Sequence, residues 1–177
     1  MKDENNSISV LPGERKEELL WESIPLITCS LSLPCVSGPG AGPRRIDRYY
    51  RRLEKILLGR LKDLYPRFCT LAELAVSASR PIPLCHVWTD CETACLDERF
   101  LSIRWSLYSE AGVRHHCDLW ELPWGAPTSV KMLLPKHFHR KANSGPCLLR
   151  EDGVYLVKED GEELLYRFPD AGDSEPS

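Results

Sequence analysis

The stretch "LSIRWSLYSEAGVRHHCDLWEL", residues 101–122, carries the clearest secondary-structure signal in the chain. Up to Tyr108, apolar and polar residues alternate with the period of a half-buried β-strand. The sequence "SEAG" then predicts a turn, and "VRHHCDLWEL" predicts a second strand that returns beside the first. An antiparallel hairpin therefore stands at the centre of the predicted fold, with its first strand burying Leu101, Ile103, Trp105 and Leu107.

Neighbouring segments extend this hairpin into a sheet. "LCHVWTDCETAC", residues 84–95, precedes it across a turn at "LDER", which predicts a three-stranded antiparallel meander. "LITCSLSLPCV", residues 26–36, alternates in the same way and predicts the first strand of the domain. "CLLREDGVYLVKEDGEELLYRF", residues 147–168, has two "EDG" turn signals between strand-like runs, so we expect closing strands there.

A long helix separates the first strand from the meander. From Arg44 onwards the apolar residues follow the helical period, and Pro43 stands where a helix could begin. Pro66 removes a backbone donor, so a kink or break is expected near Tyr65 before the helix resumes. The predicted fold class is α+β: a long kinked helix packed on an antiparallel sheet made from the N-terminal strand, the three-stranded meander and the C-terminal strands. The apolar stripe of the helix consists of Ile46, Tyr49, Tyr50, Leu53, Ile56, Leu57, Leu61, Leu64, Tyr65, Phe68, Leu71 and Leu74.

Composition is that of one globular domain. The chain of 177 residues is 42% hydrophobic and 28% charged, with a formal net charge of -3. We expect a single domain over residues 19–169, with flexible termini at residues 1–18 and 170–177. The start has no apolar stretch of signal-peptide length and no segment reaches the length of a membrane span, which predicts a cytoplasmic protein without membrane contact. The eight cysteines are then expected as reduced thiols.

The histidines and cysteines of the meander raise the question of a metal site. If Cys91 lies opposite Trp105, and Trp105 opposite His115, then Cys91, Cys95, His115 and Cys117 share one face of the sheet. This register also pairs Cys95 with Leu101 and Ile103 with Cys117. The outer strands are then about 9 to 10 Å apart, whereas zinc needs four ligand atoms at about 2.0 to 2.3 Å. The sequence therefore favours packing over metal binding, and no cofactor is expected.

A catalytic cysteine is the other chemical hypothesis for this cluster. Cys117 could take His137 or His139 as its base, but a cysteine nucleophile needs a lowered pKa and an oriented neighbour, and the local sequence supplies neither. The chain also has no phosphate-binding loop, dinucleotide fingerprint, serine-hydrolase elbow or zinc-protease motif. These observations predict a protein that is not an enzyme.

Basic residues cluster on the predicted helix, opposite the apolar stripe. Arg48, Arg51 and Arg52 are the candidate binding residues there, and Arg104 and Tyr108 are candidates on the exposed face of the sheet. A nucleic-acid surface would have this charge, but the negative net charge and the lack of a recognition motif disfavour nucleic acid. The alternative is a solvated helix face that steers towards the acidic C-terminal segment of its own chain or towards an acidic protein partner of unknown identity.

The order of elements resembles a domain-of-unknown-function family shared by the C-terminal region of RsiV-type anti-sigma factors and by PdaC-type peptidoglycan deacetylases. In particular, the chain is similar to small, membrane-free members from Firmicutes. The family usually has a Gly-Gly-Ala-His-Gly type turn where this chain has "SEAGVRHH", so only Ala111 and Gly112 match there. The matching positions elsewhere are Ile46, Tyr49, Tyr50, Leu53, Leu101, Ser102, Tyr108, Asp118, Leu119 and Gly125.

Three functional hypotheses follow. The first is a cytoplasmic, non-catalytic binding or regulatory module that engages a protein through the basic helix or the exposed sheet face. The resemblance to the deacetylases implies the second, a cell-wall-linked accessory or enzymatic domain. The third is a zinc or redox protein that uses Cys91, Cys95, His115 and Cys117.

Overall fold

The computed structural model describes residues 7–134 and 145–167. Within these ranges the chain forms one α-helix, one short 3-10 helix at Val130–Leu133, and nine strands. The helix, α1, spans Ala41–Ser77 and lies between the second and third strands. The strands are β1 (Ser9–Trp21), β2 (Ile24–Ser37), β3 (Cys85–Leu96), β4 (Phe100–Ser109), β5 (Gly112–Glu121), β6 (Ala126–Thr128), β7 (Cys147–Arg150), β8 (Gly153–Val157) and β9 (Glu163–Arg167).

The strands form two sheets. Six of them lie in the order β1-β2-β3-β4-β5-β6, and β7, β8 and β9 form a separate antiparallel sheet. The expectation that the closing strands would join the main sheet is therefore wrong. All neighbours in the main sheet are antiparallel except β2 and β3, which are parallel because α1 connects them as a crossover. The α+β class, with one helix on a mostly antiparallel sheet, is confirmed.

The N-terminal strand β1 was not expected. Residues 9–18 were assigned to a flexible terminus, yet β1 pairs with β2 from Ser9 opposite Ser37 to Trp21 opposite Ile24. The hairpin turns through Glu22 and Ser23, which have φ of 47° and 69°, as a two-residue turn requires. The centre of β1, residues 14–18, is entirely charged, which is tolerated because β1 is an edge strand, where exposed charges discourage further pairing.

Helix α1 runs without a break through Pro66 to Ser77. Tyr65, Phe68 and Cys69, close to Pro66, pack against the core, and this burial offsets the cost of the missing hydrogen bond. The chain leaves the helix well before the prolines at 81 and 83. No helix in the described ranges combines the length and the apolar composition that crossing a bilayer demands.

The main core lies between α1 and one face of the six-stranded sheet. Its fully buried members include Tyr50 and Ile46 of the helix and Ile103 of β4. On the opposite face, Leu119 packs with Val130, Leu149 and other residues in a second, smaller core that attaches the β7–β9 sheet. The sheet therefore has a helix side and a β7–β9 side.

Two glycines hold the start of α1 against the turn between β5 and β6. A Cβ on Gly42 would meet the backbone of Leu122 and of Gly125, and a Cβ on Gly125 would meet the backbone of Gly42. Gly125 also has a φ of 61°, where a side chain is strained. This close approach brings the first turns of α1 next to the end of β5.

Candidate functional site

The turn between β4 and β5 sets which residues of β5 face the helix. Ser109 pairs with Gly112, so Trp105 lies opposite His116, Ile103 opposite Asp118 and Arg104 opposite Cys117. The expected pairing of Trp105 with His115 is wrong by one residue. Because side chains alternate between the faces, this shift moves every side chain of β5 to the other face.

The shift separates the proposed histidine-cysteine cluster. Cys91 pairs with Trp105 as expected and lies on the helix side. Cys95 pairs with Ser102 instead of Leu101, since a bulge at residue 94 displaces it, and it joins His115 and Cys117 on the other side. Within residues 7–134 and 145–167 there is no group of three or more His, Cys, Asp or Glu side chains that could hold a metal ion.

The cysteines of the meander do not have the properties of nucleophiles. Burial raises the pKa of Cys117 to about 12, and it also raises the pKa values of Cys91 and Cys95. These groups stay protonated near neutral pH, whereas a nucleophilic cysteine needs its thiolate form. His137 and His139, the bases considered for Cys117, lie outside the described residues.

A hydrogen-bonded network on the helix side joins α1 to the sheet through Asp118. The Tyr50 hydroxyl and the Trp105 indole N–H both donate to Asp118 Oδ2, at 2.8 and 2.9 Å. The Trp120 indole N–H donates to the Tyr50 hydroxyl oxygen at 3.1 Å. The ring of His116 stacks on Trp105 with centroids 3.9 Å apart. Three aromatic side chains therefore fix the position of one carboxylate.

Burial determines the protonation of this network. It raises the pKa of Asp118 above its usual value, although the donors Tyr50 and Trp105 oppose the shift. Burial likewise lowers the pKa of His116, so its imidazole favours the neutral form. The pKa of Tyr50 is raised by burial and by the nearby Asp118, which keeps its hydroxyl available as a donor.

A cleft of about 270 Å³ opens beside this network, at the end of β6. Asp118 contributes to its wall, and the described residues donate no hydrogen bond to the second carboxylate oxygen, Oδ1. The ring of Tyr49, 41% exposed, lies 5.0 Å from that of Trp120 and forms an aromatic wall. We call this the β5 cleft; its lining residues are Tyr49, Cys117, Asp118, Leu119, Trp120, Pro127 and Thr128.

The three candidate arginines of the helix do not act alike. Arg48 and Arg52 are exposed, and no described residue forms a hydrogen bond or ion pair with them. Arg51 instead points between the helix and β2, where it donates to Cys35 Sγ at 2.6 Å and forms an ion pair with Glu54 at 3.0 Å. Only two of the three are therefore free to contact a partner.

Arg104 and Tyr108 lie on the other side of the sheet. Arg104 forms an ion pair with Glu163 of β9 at 2.6 Å, and so helps to attach the β7–β9 sheet. The Tyr108 hydroxyl donates to Asp90 at 2.7 Å, and its ring stacks on Trp88. The five candidate binding residues therefore do not form one site.

Sequence reasoning from pattern and spacing did not identify Asp118 as a site residue. The available signal was the set of positions that match the family the sequence resembles, which includes Tyr49, Tyr50 and Asp118. The structure brings these three together at one end of the helix, with Gly125 holding the turn beside them.

No protein-family model and no curated protein matches this chain. Its structure is similar to the crystal structure of a member of the DUF3298 family, a domain of unknown function, from Bacteroides fragilis. The TM-score is 0.60 and the sequence identity 9%, over 92% of this chain and 91% of the other. At this identity, the likeness shows that the two chains share a fold.

Proposed function

We propose that this protein is a non-catalytic module that binds an acidic protein partner through the outer surface of α1. The observation that carries the proposal is a set of exposed cations on one side of the helix that form no hydrogen bond or ion pair with a described residue: Arg48, Arg52 and Lys55. These positions are four and three residues apart, so their side chains project from one helix face. Free, clustered cations steer and hold a partner of opposite charge.

The edge strand β1 extends this surface. Lys62 forms an ion pair with Glu17 at 3.2 Å, and the Arg51 guanidinium lies against Gly13, so residues 13–17 of β1 run beside the helix. Arg15 pairs with Leu31 and therefore faces the helix side of the sheet, where it is exposed. We call Arg15, Arg48, Arg52 and Lys55 the basic face.

Two acidic residues near the basic face are paired with cations. Glu54 binds Arg51, and Glu17 binds Lys62. Exposed apolar side chains flank the cations, among them Leu11 of β1 at 62% and Ile56 of α1 at 52% exposure. A positive surface with apolar residues beside it is suited to a protein interface, where arginine is enriched.

The test uses a terminally blocked, glutamate-rich peptide as the probe, with fluorescence anisotropy as the readout. The triple variant R48E/R52E/K55E should bind at least about tenfold more weakly than wild type, and wild-type binding should weaken as salt rises. The matched control R67E/R80E/R114E makes the same change of charge at exposed positions elsewhere and should bind like wild type.

An equal loss of peptide affinity in R48E/R52E/K55E and in R67E/R80E/R114E would show that binding responds only to the net charge of the protein. This result would refute the proposal. Tighter binding of duplex DNA or of anionic vesicles than of the acidic peptide, at matched salt, would assign the basic face to a different class of partner.

A further inference from the structure

Among the described residues, one side of β5 has no neighbouring strand over most of its length. On the opposite side, β5 pairs with β4 along its full length, from Gly112 to Glu121. On the first side, β5 pairs with β6, and only through residues 119–121. Among the described residues, the stretch from Val113 to Asp118 therefore has no second neighbouring strand. Unpaired backbone groups on such an edge are a template for another extended chain.

The β5 cleft lies where β6 stops, at one end of this open edge. Its volume of about 270 Å³ compares with about 30 Å³ for each water in the liquid, so a long side chain fits there. The residues of its wall include Asp118, whose Oδ1 accepts no hydrogen bond from a described residue, and Tyr49, whose ring is exposed. Carboxylate and aromatic ring together favour a cation over an anion or a purely apolar group.

The carboxylate is held rigidly. Tyr50 and Trp105 donate to Asp118 Oδ2, and the described residues donate no hydrogen bond to Oδ1. Preorganised groups bind more strongly because little order has to be imposed when the ligand arrives. His116, two residues before Asp118 on the same face of β5, has a pKa lowered by burial, so it does not supply a competing positive charge near neutral pH.

We propose that the open edge of β5 binds an extended peptide strand, antiparallel to β5 and in line with β6, which places a lysine or arginine side chain in the β5 cleft against Asp118. Backbone hydrogen bonds to residues 113–118 supply the affinity, and the pocket for one alternate side chain supplies the selectivity. This surface is separate from the basic face, and the inference does not depend on the proposed function.

The first experiment needs only the wild-type protein. Three blocked eight-residue peptides of high strand propensity are compared by NMR titration: one with a central lysine, one with norleucine in its place, and one with lysine and alternate N-methylated amides. The lysine peptide should bind at least about tenfold more tightly than the norleucine peptide, a difference of about 1.4 kcal/mol. N-methylation should abolish binding, because it removes the donors that pair with the edge.

The protein variant D118N tests the carboxylate. Asparagine is isosteric, and its Oδ1 can still accept from Tyr50 and Trp105, so the network is expected to persist. D118N should bind the lysine and norleucine peptides equally, whereas R48E/R52E/K55E should keep the wild-type preference. This last comparison separates the β5 cleft from the basic face.

Three results would overturn the inference. Equal affinity of wild type for the lysine and norleucine peptides would remove the role of the cation. Retained preference in D118N would remove the role of the carboxylate. Binding of n-butylammonium as tightly as of the lysine peptide would show a site for free amines without strand addition.

Discussion

Removal of a single oxygen atom from Tyr50 tests the junction between α1 and the sheet. Tyr50 is fully buried, donates to Asp118 and accepts from Trp120. Tyr50→Phe keeps the ring and its packing but removes both hydrogen bonds. The adjacent Tyr49 provides the matched control, since it is 41% exposed and its hydroxyl bonds to no described residue.

The loss of stability in Tyr50→Phe can be estimated from the two groups that lose a hydrogen-bond partner, Asp118 and Trp120. Loss of a hydrogen bond to the Asp118 carboxylate costs about 1.5 to 3 kcal/mol, and the buried Trp120 N–H left without an acceptor costs about 1 to 3 kcal/mol. The two effects share one hydroxyl, so we expect about 3 kcal/mol in total. For a chain of this size that corresponds to a fall in Tm of about 6 to 12 °C. Tyr49→Phe should change stability by less than about 0.5 kcal/mol.

Urea unfolding followed by tryptophan fluorescence measures both variants, with thermal melts as a second readout. The m-values should match wild type, which shows that only stability has changed. If Tyr50→Phe and Tyr49→Phe unfold at the same urea concentration, the network does not stabilise the junction and the reasoning is refuted.

Other predictions concern the core, the buried carboxylate and a buried thiol. Trp105→Asp, at a position only 5% exposed, should unfold the protein, while Leu53→Asp, at a partly buried position, should destabilise it less; melting like wild type by either variant would contradict the packing of α1 on the sheet. Since burial raises the folded-state pKa of Asp118 above its ordinary 3.8, its ionisation opposes folding. The free energy of unfolding of wild type should therefore fall relative to that of Asp118→Asn as pH rises from 3.8 through the folded-state pKa of Asp118. Urea titrations in which the difference between the two free energies does not change with pH would contradict this. The thiol of Cys29 is buried, and burial raises its pKa to about 11, so it should react with iodoacetamide near neutral pH only after unfolding; rapid labelling of Cys29 in the folded protein would contradict its burial.

Elements with a strong period were predictable from sequence. The stripe from Ile46 to Leu74 identifies the helix, and alternation in residues 101–108 identifies β4. Strand β1 was not predictable in this way, because "GERKEE" in its centre has the composition of a solvated segment. Its pairing depends on β2 and on a turn at Glu22 and Ser23, neither residue being a typical former of such a turn.

The site was less predictable because it depends on register. A one-residue difference in the turn after Ser109 decides whether Asp118 faces the β7–β9 sheet or the helix. The residues "SEAG" predict a turn but not which residues pair on either side of it. The bulge at residue 94 is likewise not predictable from the alternation of apolar and polar residues. The contact of Tyr50 with Asp118 spans 68 positions and has no local signature.

The parallel seam between β2 and β3 has a consequence for folding kinetics. It consists of four residue pairs, from Ile27 with Cys85 to Ser30 with Trp88, and the whole of α1 lies between its two halves. The β1–β2 hairpin and the β3–β4–β5 meander have only short turns to close, so they can form early. Pairing of β2 with β3 joins residues that are far apart in the sequence, with the whole of α1 between them. Such long-range contacts raise the contact order, so we expect formation of the seam to be the slow step of folding. In any state that precedes the seam, β2 and β3 each lack one of the neighbours they have in the finished sheet.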